Sequence, residues 1–160
     1  MKRKNKPLFP LFTDLSEYKI VVVGGGAVAL RRVKTLLHFA SDLTVVAPKI
    51  CGELCALASE GKICLLKKKY EREDLYAAHM VLAATDDRAV NEDIYSACKC
   101  LGILVNVASD QNKCDFQFPS VILEEDMTIG INGGGSDHGK VKETRKKLES
   151  CLKGKTIYGE

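Results

Sequence analysis

The nine residues Val21–Ala29, VVVGGGAVA, decide the fold. Three β-branched valines end a strand that opens at Lys19, three glycines follow, and Ala27 begins a segment with helical spacing. Ala29, Val33, Leu36, Leu37 and Ala40 recur at i, i+4, i+7, i+8 and i+11. That is one face of a helix over Ala27–Ala40, with Arg31, Arg32 and Lys34 on the other face. Gly24, Gly26 and Ala29 match the pattern G-x-G-x-x-A. In that pattern the first glycine permits a tight turn and the second lets a pyrophosphate approach the backbone. The small third residue lets helix and strand pack closely. The helix N-terminus adds free N–H groups and the positive end of a dipole. The plain alternative is a turn that is merely tight. A strand before it, a helix after it and a second strand beyond favour a dinucleotide site.

Outward from the turn, strands and helices alternate. Leu43–Ala47 reads as a strand stopped by Pro48, Cys51–Ser59 as a short helix, and Ile63–Leu66 as a third strand. A polar connection over Lys67–Asp74 leads to Met80–Ala84, apolar throughout as a strand buried on both faces should be. Val90, Ile94, Ala97, Cys98 and Leu101 mark a helix that ends at Gly102, and Ile103–Val107 is a fifth strand. The order β-α-β-α-β-α-β predicts an α/β chain, a Rossmann-type parallel sheet with helices on both faces. After Ala108 the pattern changes. Phe116–Leu123 and Met127–Ile131 read as two antiparallel strands around the acidic turn Glu124-Glu125-Asp126. A glycine run, Gly133-Gly134-Gly135, then precedes a basic helix from about His138 to Leu152, with Val141, Leu148, Cys151 and Leu152 on its apolar face. The predicted organisation is a dinucleotide-binding domain over residues 1–111 and a small hairpin-plus-helix domain over 112–160.

Composition narrows the class. The chain has 160 residues, 46% hydrophobic and 28% charged, enough for a core of ordinary globular type. A net charge of +3 does not argue for nucleic acid, though it suits a polyanionic small molecule. Seven cysteines form no C-x-x-C pair, and Cys51/Cys55 and Cys98/Cys100 lack histidine partners at zinc spacing. They read as reduced, mostly buried thiols. The N-terminal MKRKNKPLFPLF is too short in its apolar run for a signal segment, and no stretch reaches membrane-spanning length. The expected location is the cytoplasm. The second strand ends in Ala47-Pro48-Lys49, with no acid until Glu53. Charge therefore does not choose NAD over NADP, and Lys49 would tolerate a 2′-phosphate.

Taken together, the N-terminal PLF…DL, the loop VVVGGGAVALRRV, the strand LTVVAP, LAATDDRAVNEDI and NVASDQNKCDFQFPSVI resemble, in the same order, the precorrin-2 dehydrogenases. These include the dehydrogenase/ferrochelatase parts of siroheme synthases. The resemblance runs from about Pro7 to Ser150. It implies NAD-dependent oxidation of precorrin-2 to sirohydrochlorin by a homodimer, with iron insertion in some members. The dimer is formed through the small second domain. Carried over by position, it implies cofactor contacts at Gly24, Gly26, Ala27 and Val28 on the phosphate turn. Pro48 and Lys49 would lie beside the adenosine, and Thr85 and Asp86 near the nicotinamide. Asn106, Arg145 and His138 are the candidate contacts for the tetrapyrrole. Two positions depart from the family. The loop after the fifth strand usually reads N-V-x-D; here Asn106 and Val107 match, Ser109 stands where the acid is expected, and Asp110 comes one residue late. The family's S-P after the later glycine run is Asp137-His138 here.

The oxidation needs a hydride acceptor and a proton acceptor. Nicotinamide takes the hydride, and a positioned carboxylate takes the proton. Asp110 has two readings, displaced catalytic base or solvated loop residue. Asp86 and Asp87 follow the fourth strand, at the edge where ligands of open α/β sheets bind. Asp87 is expected to cap the next helix and Asp86 to lie near the cofactor. His138 acts in proton transfer, contacts a substrate carboxylate or is a surface residue of a first helical turn, the last being the plainer reading, and His38 and His79 read as structural. Lys140, Lys142, Arg145, Lys146 and Lys147 form a solvated face or recognise substrate carboxylates, for which the fork of Arg145 is best suited. The expectation is a precorrin-2 dehydrogenase. Its rivals are a non-catalytic module binding NAD or tetrapyrrole, and a nucleotide-sensing regulatory domain of the kind attached to ion channels. The last explains the first half of the chain but not Phe116–Ser120.

Overall fold

The computed structural model describes residues 7–134 and 138–155, with the side chains of 138 and 153–155 excepted. Five strands, β1 (Lys19–Val23), β2 (Asp42–Val46), β3 (Cys64–Leu66), β4 (Met80–Ala83) and β5 (Leu104–Val107), form one parallel sheet in the order β3-β2-β1-β4-β5. This is the Rossmann-type arrangement expected from the alternation. The central strands are buried because each is an unbroken apolar run. Val21, Val23, Val81, Ala83, Val105 and Val107 face one way and pack with Ile94, Ala97 and Cys98 of helix α3 (Arg88–Leu101). Ile20, Val22 and Leu82, pointing the other way, are also fully buried. Helix α1 (Ala27–Leu36) buries Ala29, Val33 and Leu36, and helix α2 (Gly52–Ser59) buries Leu54. A short 3-10 turn, Arg72–Leu75, stands in the connection from β3 to β4.

Four expectations change. The first helix stops at Leu36; His38 and Phe39 bond back to Thr35 and Leu36 in a tightened turn, although Ala40 still bonds to Leu36 at 2.9 Å. Arg32 does not join the solvated face but is 8% exposed. It lies three residues after Ala29 and four before Leu36, so it shares their inward stripe. Burial pushes its guanidinium down to about 10, a shift opposed by the proximity of Cys114. The strand expected from Phe116 begins at Ser120, because Pro119 has no N–H to donate. The cysteines are not mostly buried: Cys98 is, Cys51 and Cys114 are half-buried, and Cys55, Cys64, Cys100 and Cys151 are exposed. Apolar periodicity places them on helices and strands but not on the inward side.

Gly102 sits just past α3 with φ +71 and ends the helix as expected. After β5 the chain returns along its free edge. Asn106 pairs with Cys114 in an antiparallel bridge, Asp115 N–H bonds to the Val105 carbonyl at 2.8 Å, and Asp115 Oδ2 accepts Val105 N–H at 3.1 Å. That return covers an edge that would otherwise invite pairing.

Two compact units divide between Phe116 and Gln117. Phe12–Phe116 contain the parallel sheet, so residues 112–116 belong with it. The other unit runs from Gln117 onward and includes the described residues before Phe12. It contains the antiparallel hairpin β6 (Ser120–Glu124) and β7 (Met127–Ile131), with α4 (His138–Lys155) packed on β6. Among the described residues no helix is long and apolar enough to cross a membrane.

Candidate functional site

Parallel strands in register bring their carboxyl ends to one edge of the sheet. Val23 lies beside Val46 and Ala83, and Ala83 beside Val107. The loops that follow β1, β2, β4 and β5 therefore share that edge, where ligands of open α/β sheets bind.

The glycine turn is built against its neighbours. Gly24 has φ +131, a conformation that suits glycine, and a Cβ there would lie 2.4 Å from the Ala84 carbonyl oxygen. Its N–H donates to the Val46 carbonyl at 2.9 Å. Gly25, to which the motif gives no role, is equally constrained. A Cβ on it would stand 2.1 Å from the Lys49 carbonyl oxygen and 2.9 Å from Ile50 Cα. The Gly25 carbonyl also accepts Cys51 N–H at 2.9 Å. Three consecutive glycines were the available signal for this packing. Gly26 is different: it is exposed, and a Cβ on it would meet nothing within 4 Å. It is the N-cap of α1, with no side-chain cap, so the first-turn N–H groups of Ala27 and Val28 open onto that space. This cradle, bare backbone at the positive end of a helix, fits the pyrophosphate of a dinucleotide. Ala27 and Val28 are exposed beside it, and Pro48 and Lys49 are exposed where β2 ends.

At the β4 end, Thr85 is half-buried and Asp86 exposed. Asp86 makes no hydrogen bond or ion pair among the described residues. Asp87 caps α3 as expected, its Oδ1 accepting from Ala89 N–H at 2.8 Å and Val90 N–H at 3.2 Å. Asn91, which the sequence reading passed over, is 3% exposed. Its Oδ1 accepts from the Thr85 hydroxyl at 2.7 Å and its Nδ2 donates to the Thr85 carbonyl at 3.0 Å. The same Nδ2 reaches the Ser109 hydroxyl at 3.4 Å. Asn91 thus connects the exits of β4 and β5. Its signal was the spacing of TDDRAVN, which puts the amide one turn inside the helix that Asp87 opens.

At the β5 end, Asn106 is buried and its Nδ2 donates to the Phe116 carbonyl at 2.8 Å. Its Oδ1 is buried without a hydrogen-bond partner. Ser109 is exposed. Asp110 is half-buried and opens a 3-10 turn over Gln111–Lys113. Its Oδ1 accepts Asn112 N–H at 2.9 Å, and its Oδ2 lies 4.0 Å from Lys113 Nζ. Cys114 Sγ lies 3.3 Å from the Val107 and Asp110 carbonyl oxygens. The glycine turn, Pro48, Lys49, Thr85, Asp86, Ser109 and Asp110 thus lie on loops leaving one edge, while Asn106 lies under it.

In the other unit, Arg145 Nε donates to Glu149 at 2.8 Å, and its Nη1 reaches the Ser120 hydroxyl at 3.5 Å. Part of its fork is therefore committed within that unit. His138 begins α4, but its side chain, like Asp137, lies outside the described residues. His79 is structural, its Nδ1 accepting Lys19 N–H at 3.0 Å. Among the described residues no three His, Cys, Asp or Glu side chains come together to hold a metal. An open groove lined by Ser16, Asp42 and Lys62 lies at the amino end of the sheet, away from the glycine turn.

Residues 11–120 match a family model whose description is "Putative NAD(P)-binding". A siroheme synthase of Pseudoalteromonas translucida (strain TAC 125) is 39% identical over 143 residues, covering 89% of this chain and 30% of that protein. A siroheme synthase of Pseudoalteromonas atlantica (strain T6c / ATCC BAA-1087) is 40% identical over 144 residues, 90% of this chain and 31% of that protein. The chain therefore spans about a third of the length of these relatives. Among solved structures, SirC, precorrin-2 dehydrogenase, superposes with a TM-score of 0.79 at 29% identity, covering 89% of this chain and 70% of that one.

Proposed function

Because the chain belongs to the NAD(P)-binding family matched over residues 11–120, we propose that it is a dehydrogenase that oxidises precorrin-2 to sirohydrochlorin in siroheme biosynthesis. The observation that carries this reading is the likeness to a precorrin-2 dehydrogenase over 89% of the chain, at an identity of 29%. NAD⁺ supplies the hydride acceptor. The oxidation removes two hydrogens from the tetrapyrrole, one as the hydride that the bound dinucleotide would take and one as a proton for which the chain would supply the base.

The chain's own residues do the rest. Gly24 would supply the tight turn, Gly26, Ala27 and Val28 would hold the pyrophosphate on the exposed backbone at the start of α1, Pro48 and Lys49 would border the adenosine, and Thr85 and Asp86 the nicotinamide. Asp110 is the base in this reading. Its Oδ1 is held by Asn112 N–H, so Oδ2 is the atom that takes the proton. Arg145, Asn106 and His138 serve the tetrapyrrole. The protein works in the cytoplasm as a homodimer, assembled through the hairpin and last helix of the unit that begins at Gln117. Exposed Leu123 and Met127 on that hairpin support self-association.

A second reading is a module that binds NAD or tetrapyrrole without turnover. It is favoured by Ser109 in the family's acid position and by Asp110 acting as the cap of a turn. The deciding experiment is anaerobic. Precorrin-2 and NAD⁺ are mixed with the protein and with Asp110→Asn, and sirohydrochlorin is followed by absorbance. Turnover by the parent and its loss in the variant, which can still cap the turn, are expected. No turnover by the parent with NAD⁺ still bound establishes the second reading. Adding Fe²⁺ as a further substrate reports iron insertion in the same assay.

A further inference from the structure

We propose that Lys49 determines cofactor choice, letting this site take NADP⁺ as well as NAD⁺ by pairing with the 2′-phosphate of the adenosine ribose. The proposal rests on the dinucleotide reading above and concerns its adenosine end.

The position of Lys49 is fixed by packing. Its carbonyl oxygen would be 2.1 Å from a Cβ on Gly25, and Cys51 N–H bonds to the Gly25 carbonyl at 2.9 Å. The segment that leaves β2 is thereby clasped to the glycine turn from two sides. In this fold the adenosine ribose lies where β2 ends, so Lys49 borders it by construction.

The charges there point one way. A site that selects NAD places an acid at this position, which binds the ribose hydroxyls and repels a 2′-phosphate. Here the positions are filled by Ala47, 3% exposed, and Pro48. Glu53, the first acid along the chain, is paired with Lys34. Lys49 is exposed and makes no ion pair or hydrogen bond among the described residues. The adjoining strand adds to the field. Ala47 N–H bonds to the Leu66 carbonyl at 3.1 Å, so β3 leaves beside Ala47, and it leaves as Lys67-Lys68-Lys69. Lys68 is engaged by Glu71 and Asp74, but Lys67 and Lys69 are exposed. The adenosine end thus has cations on two adjacent loops and no unpaired acid on the segment from Ala47 to Glu53. A dianionic phosphate is stabilised there rather than repelled.

The test is calorimetric titration of NAD⁺ and NADP⁺ into the parent, Lys49→Glu and Lys49→Arg, each first shown to melt like the parent. The parent is expected to bind both dinucleotides. Lys49→Glu should raise the ratio Kd(NADP⁺)/Kd(NAD⁺) about tenfold, the effect of one charged hydrogen bond, and Lys49→Arg should not raise it. A parent that binds NAD⁺ but not NADP⁺, or a ratio unchanged in Lys49→Glu, overturns the proposal. A folded parent that binds neither dinucleotide overturns the cofactor reading itself, a distinct outcome.

Discussion

The side-chain amide of Asn91 grips Thr85 at both of its polar ends, accepting from the hydroxyl at 2.7 Å and donating to the backbone carbonyl at 3.0 Å. One buried residue of α3 thereby sets the conformation of the β4 exit. Asn91→Ala should leave the Thr85 carbonyl without its donor and lower stability by about 1–3 kcal/mol. It should also weaken dinucleotide binding, because Thr85 is then free to move. Thermal denaturation and NAD⁺ titration check both effects. An unchanged melting temperature would show that the grip is dispensable.

The glycines of the turn should separate by function. Gly25→Ala forces a methyl group toward the Lys49 carbonyl, with backbone on both sides and nothing flexible to give way. A loss of about 1–3 kcal/mol is expected, the range for overpacking. Gly26→Ala puts its methyl group into open space at an ordinary φ of −95. It should stay within about 1 kcal/mol of the parent and lose affinity for the dinucleotide. Denaturation curves and binding isotherms on the pair decide the matter, and a Gly26→Ala protein with parental affinity would remove Gly26 from the cofactor cradle.

Much of this was legible in the sequence. Parallel strands covered on both faces must be apolar throughout, so VVV, LTVV and MVLA declare themselves. Asp87 was readable as a cap because it precedes a helical period. Gly25 was not readable, since its constraint comes from the β2 exit, twenty-four residues away. Arg32 misled because charge suggests solvent, while its place between Ala29 and Leu36 puts it inside. Phe116 and Phe118 alternate like a strand, but Pro119 and the tie from Asn106 to the Phe116 carbonyl hold that segment out of the sheet. The paired roles of Asn91 depend on two strand exits meeting, and no local pattern encodes that.

Thiol chemistry should report burial. Cys98 is fully buried, and burial pushes its thiol up to about 12. At pH 8 the folded protein treated with iodoacetamide should be modified at exposed Cys55, Cys64 and Cys100 but not at Cys98. Raising the pH should leave Cys98 protected until the pH approaches that value or the fold opens. Peptide mass spectrometry assigns the sites. Early labelling of Cys98 would mean that α3 detaches readily from the sheet.

Replacing both Leu123 and Met127 by Glu should yield monomers, since the pair presents exposed apolar surface on the hairpin and is 44% and 53% accessible. Light scattering gives the mass directly. A parent that is already monomeric, or a double variant that stays dimeric, would exclude this hairpin as the dimer contact.

The pairing of β1 with β4 has a consequence for how the chain assembles. Lys19 and His79, sixty positions apart, bond to each other, and Gly24 rests on Ala84 at the far end of the same two strands. A nascent chain that has only β1, α1 and β2 has the glycine motif but not the wall it leans on. Closing so long a loop carries more entropy than the local β1–β2 pairing. The binding edge is therefore incomplete until synthesis has passed β5. A dinucleotide that binds only the finished edge would, by mass action, favour the closed sheet over any form in which β1 and β4 are apart.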